Sequence, residues 1–153
     1  MDSGGQGARR VLRRSMLGIL VLLVGSQFVP VNRSNPAIET EVLPPATVRA
    51  ILRRACYDYH SNETAWPWYS RIAPVSWLVA HDVRKGREEV NFSAWNRMPT
   101  QKQERKRKET SKEIEEEEMP PWYYLGVHRT AALSAEDKST LRRWALGPTS
   151  TRK

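Results

Sequence analysis

Cys56 is the only cysteine in the 153 residues, so no internal disulfide can close this fold. The chain must hold itself together by burying apolar surface, and its 39% hydrophobic and 27% charged content suit one small domain with extensions. Five of the six tryptophans and five of the ten prolines fall between Trp66 and Trp122. Bulky rings there either wall an apolar pocket or fill a packed aromatic core without a cofactor, while the prolines fix the loops.

The lone thiol lies four residues before an imidazole, in Cys56-Tyr57-Asp58-Tyr59-His60. This reads as a c-type haem attachment site, Cys-x-x-Cys-His, with Tyr59 in place of the second cysteine. The thiol suits addition to a haem vinyl group, and the imidazole suits ligation of iron. The same two side chains are also half of a zinc or copper site, which His81 and His128 would have to complete.

The residues downstream extend the motif: Ser61-Asn62-Glu63-Thr64, Trp66-Pro67-Trp68-Tyr69-Ser70, Ile72-Ala73-Pro74-Val75-Ser76-Trp77-Leu78, Asp82-Val83, Gly86-Arg87, Asn91-Phe92-Ser93-Ala94-Trp95 and Met119-Pro120-Pro121-Trp122-Tyr123-Tyr124. Together they resemble the bacterial haem-binding domain family, small membrane-linked proteins related to c-type cytochromes. The resemblance implies an all-α, cytochrome c-like domain with one haem c and its iron. Tyr59 limits attachment to a single thioether through Cys56, with His60 as the proximal ligand.

By the same resemblance the carbonyl of Pro74 is a candidate acceptor for the other ring nitrogen of His60, which would fix the tautomer. Arg87 offers a planar guanidinium to a haem propionate. Met119, in Met-Pro-Pro-Trp, is the candidate distal ligand and His128 the alternative. An electron carrier serving an unidentified redox partner is the expected function. A haem-free interaction module, and a haem sensor or peroxidase, stay open beside it. No catalytic triad, acid pair or phosphate-binding loop points to another enzyme class.

Arg9, Arg10, Arg13 and Arg14 precede Ser15 to Val31, a stretch without formal charge. As a helix this stretch would be roughly 25 Å long, slightly short of the hydrocarbon core. Residues 1–31 are therefore expected to be a membrane anchor or a cleaved signal segment, with the arginines in the cytoplasm. The expected locations are the bacterial inner membrane facing the periplasm or, after cleavage following Ser26, the soluble periplasm. Export fits covalent haem attachment, which takes place outside the cytoplasm.

Residues 32–44 read as an extended linker, and 45–147 as the haem-binding domain. Val48, Ile51, Leu52 and Ala55 recur on one face of a helix from Pro45 to Cys56. A short helix is expected over Val75 to Val83, stopped at Arg84-Lys85-Gly86. Residues 102–118 run from basic to acidic with Ile114 as the one strongly apolar residue, which reads as a solvated, charged connector helix or a partly disordered connector. The acidic block and the export signal argue against nucleic acid despite a formal net charge of +8. Ser134 and Asp137 form a capping box for a last helix that Gly147 stops, leaving 148–153 as a loose tail.

Overall fold

The computed structural model describes residues 3–147, and among them the secondary structure is helical with no strand. The α-helices are α1 (Ser3–Ser26), α2 (Ala46–Ala55), α3 (Tyr57–His60), α4 (Val75–Glu89), α5 (Thr100–Glu115), α6 (Trp122–Val127) and α7 (Ala135–Leu146). Short 3-10 segments occupy Trp68–Arg71, Phe92–Arg97 and Arg129–Ala131, the second kinked at Ala94. The described residues fall into two compact units. One takes the chain up to Arg33 with Trp66–His81, and the other takes Ser34–Ala65 with the chain from Asp82.

In the first unit α1 ends five residues before the expected Val31. Backbone bonds from Gln27, Phe28 and Val29 reach back only three residues, to Val24, Gly25 and Ser26, and close the helix as a turn. The Gln27 amide is matched to the Ala73 peptide, donating to its carbonyl at 3.1 Å and accepting from its N–H at 3.0 Å. The uncharged part of α1, from Ser15 on, is roughly 18 Å long, well short of a roughly 30 Å hydrocarbon core. No helix among the described residues is long and apolar enough to cross a membrane, so the structure does not support the spanning anchor.

The second unit holds the hydrophobic core. In α2, Val48, Ile51, Leu52 and Ala55 are all buried, as the periodicity requires. Val48, Ile51 and Leu52 meet Tyr57, Phe92, Trp95, Ile114 and Leu141, with Trp144 packed at the edge, while Ala55 packs with Tyr124 and Ala131. Phe92 stacks between Tyr57 and Trp95, with centroid separations of 5.5 and 5.9 Å. Fully burying a side chain such as Phe92 or Leu52 stabilises the fold by about 1.5–3 kcal/mol. Helix α7 begins at the expected Ser134–Asp137 capping box and ends at Gly147, whose φ of 72° is the left-handed conformation glycine tolerates. It packs chiefly on α5 and also on α2.

Three expected boundaries change. From Ser34 the expected linker lies packed along the second unit: Val42 is buried and its N–H bonds to the Phe92 carbonyl at 2.9 Å. The expected connector is α5, an ordered helix whose Ser111 and Ile114 are buried and whose Gln103 accepts from Trp95 Nε1 at 3.0 Å. Its fixed partners lie on α7 and in the Phe92–Arg97 turn, so local polarity did not decide its fate. Helix α4 does not stop at Gly86 but runs to Glu89.

Candidate functional site

A cavity of about 440 Å³ opens in the second unit, lined entirely by that unit's residues. This is within the roughly 300–1,000 Å³ usual for small-molecule and cofactor sites. Cys56, Tyr59 and His60 form one wall, Phe92 and Ile114 bring core side chains to it, and Met119, Tyr123 and Tyr124 form another part. No tryptophan lines it, contrary to the expected Trp-walled pocket: Trp95 and Trp144 belong to the core, and Trp122 is 83% exposed.

The link between α2 and α3 is what sets Cys56 beside His60. Cys56 leaves helical geometry at φ −128° and ψ −31°, yet the His60 N–H still bonds to its carbonyl at 2.9 Å. The one-turn spacing therefore survives a break in the helix. After His60 the polar run Ser61 to Thr64 folds inward and is satisfied by hydrogen bonds. Ser61 Oγ donates to the Tyr57 carbonyl at 2.7 Å, Thr64 Oγ1 to the Asp58 carbonyl at 2.7 Å, and the Asn62 N–H to Ser93 Oγ at 3.0 Å. Buried polar groups paired in this way make the loop after the histidine rigid.

His60 Nδ1 lies 2.9 Å from the Gly86 carbonyl and 3.2 Å from the Val90 carbonyl. Two carbonyls can only accept, so Nδ1 carries the proton and Nε2 keeps its lone pair. Burial also holds the imidazole below its usual 6.5, against the opposing pull of those carbonyls and of Glu89. The acceptor is thus not Pro74, whose carbonyl accepts from the Trp77 N–H at 3.1 Å in the first turn of α4. Gly86 was read as a helix stop. Its actual role is close approach: a β-carbon there would stand 2.5 Å from the Tyr59 carbonyl oxygen.

Burial pushes the Cys56 thiol from 9.0 up to about 12, with Arg54 pulling weakly the other way, so it is a thiol at neutral pH. Arg87 is not a cavity residue. Its Nε donates to the Ser61 carbonyl at 2.7 Å, and its Nη atoms reach the Ser34 carbonyl, Asn35 Oδ1 and Thr64 Oγ1 at 2.8 to 3.0 Å. A guanidinium that spends four of its five N–H donors on these acceptors clamps the loop away from the cavity lining.

Met119 lines the cavity, 38% exposed, with its N–H on the Glu113 carbonyl at 3.2 Å. The end of α5 turns sharply at Glu117, at φ 61°, and so carries the methionine back. His128 is not among the lining residues; it stacks on Tyr124, ring centroids 4.3 Å apart and 14° between planes. Tyr124 donates to Asp58 Oδ2 at 2.9 Å and packs on Tyr59 at 4.9 Å. Charged residues at the cavity are Asp82, Lys85, Glu89, Lys106, Glu109 and Glu113. Among the described residues no three His, Cys, Asp or Glu side chains gather as a metal site.

Compared with known families, residues 21–146 match the model of the haem-binding domain. No curated protein and no solved structure matches the chain.

Proposed function

This chain belongs to the haem-binding domain family, and from that premise we propose that the cavity of the second unit holds one haem c and that the protein carries electrons in the periplasm. The residues present fit such a group. A neutral imidazole, a protonated thiol and a thioether surround a largely apolar cavity, and these are donors that iron porphyrins accept. Haem, when bound, supplies an iron centre that exchanges one electron.

The observation that carries the reading is the double acceptor at His60 Nδ1. It fixes the tautomer and leaves Nε2 as the ligating nitrogen, as carbonyls do behind metal-bound histidines. Cys56, half-buried at the cavity wall, is the single point of covalent attachment, and its raised pKa keeps it a thiol until it is used. Tyr59, packed on Tyr124, stands where a second thioether would otherwise form. Met119 is the distal ligand, favoured over His128 because it lines the cavity and His128 does not.

The arginines before the apolar half of α1 support export, since positive charge is retained on the cytoplasmic side. The partner is a redox protein of the same compartment. Expression with c-type maturation machinery, followed by an absorption spectrum and a denatured mass, tests the reading. One haem should remain on the denatured chain, and Cys56→Ala should make it extractable. A chain that emerges without haem, covalent or extractable, from such a host would overturn it.

A further inference from the structure

A bound haem brings two carboxylates as well as iron, and the arginine expected to meet them is committed elsewhere. The cations that line the cavity are Lys85 and Lys106. Lys85 is 54% exposed and pairs with Glu88 on its own helix, as an ordinary surface lysine does. Lys106 differs in being 16% exposed, with its ammonium held 2.9 Å from Glu109 on α5 and 3.3 Å from Glu89 at the end of α4.

We propose that Lys106 is the anchor for a haem propionate. This rests on the reading that the cavity holds haem. An ammonium has three N–H donors, and two are used by Glu109 and Glu89, leaving one for an incoming carboxylate. Glu109 raises the proton affinity of the amine, so the charge survives burial. Glu89 makes the longer of the two bonds and is itself 74% exposed. That exposed carboxylate is well solvated, so it does not bar a propionate from the third donor. The Glu89 and Glu109 pairs thus hold the lysine charged and oriented before the ligand arrives.

The test is titration of the full apo chain, made without haem-attachment machinery, with haem and with its dimethyl ester, whose propionates carry no charge. Wild type should prefer the free acid by roughly tenfold, the scale of one hydrogen bond to a charged group. Lys106→Gln should lose that preference while still binding the ester as wild type does, and Lys106→Arg should keep it. Lys112→Gln, an equal charge change at a 69% exposed position on the same helix, should leave it intact. If wild type binds haem without preferring the acid, or Lys106→Gln keeps the preference, the anchor is wrong and the haem reading stands. Binding of neither ligand by wild type overturns both.

Discussion

Replacing Gly86 by alanine adds one methyl group at the point where α4 meets the haem-motif segment. The new β-carbon would stand 2.5 Å from the Tyr59 carbonyl oxygen, 3.0 Å from its carbon and 3.2 Å from the Tyr59 β-carbon. Two of these three atoms are backbone, so no side-chain rotation relieves the clash. The Cys56–His60 segment must move off α4, which stretches the 2.9 Å bond between His60 Nδ1 and the Gly86 carbonyl. Overpacking of this kind costs about 1–3 kcal/mol, and a weakened hydrogen bond adds up to about 1 kcal/mol. Alanine's better helix propensity returns about 1 kcal/mol. The net expectation is a loss of up to roughly 3 kcal/mol by urea denaturation of the apo chain, with weaker haem binding in parallel. A variant as stable as wild type, or more stable, with unchanged haem affinity would show that the contact does not position His60.

Arg87→Ala should destabilise the fold by about 2–3 kcal/mol in the same assay, because it leaves the Ser61 carbonyl without its charged donor; a loss below about 0.5 kcal/mol, the scale of ordinary surface substitutions, would refute the clamp. Met119→Ala should abolish a sulfur-to-iron absorption band and lower the reduction potential, whereas His128→Ala should leave the band intact; the reverse pattern would make His128 the ligand. The apo chain should be most stable above the usual histidine value of 6.5 and lose stability as pH falls through it, since the unfolded state binds a proton that folded His60 resists. The slope is at most about 1.4 kcal/mol per pH unit. Paired carboxylates such as Glu109 and Asp137 weaken only below their own ordinary values of 4.5 and 3.8, so His60→Gln should flatten the curve between about pH 5 and 6.5; an unchanged curve would place the titration elsewhere.

What the sequence by itself determined is local and periodic. The buried face of α2, the capping box and stop of α7, and the pairing of Cys56 with His60 all depend on spacings within one or two turns. Residue chemistry also brought out Met119, although its place at the cavity depends on the turn at Glu117. Tertiary structure decided the rest, because the partners are distant in the chain. Residues 102–118 look solvated, yet up to Glu115 they belong to a packed helix because Ile114 joins a core assembled from Val42 to Leu141. Gly86 carries no signal that separates a helix stop from a close approach until Tyr59 is seen against it. The same holds for the acceptor behind His60: any carbonyl can serve, and only the packing of α3 against the end of α4 selects Gly86 and Val90 over Pro74. The surroundings of Arg87 and Lys106 have one physical reason. A cation's role is set by which acceptors surround it, and those acceptors come from Ser34, Asn35, Ser61 and Thr64 in one case and from Glu89 and Glu109 in the other.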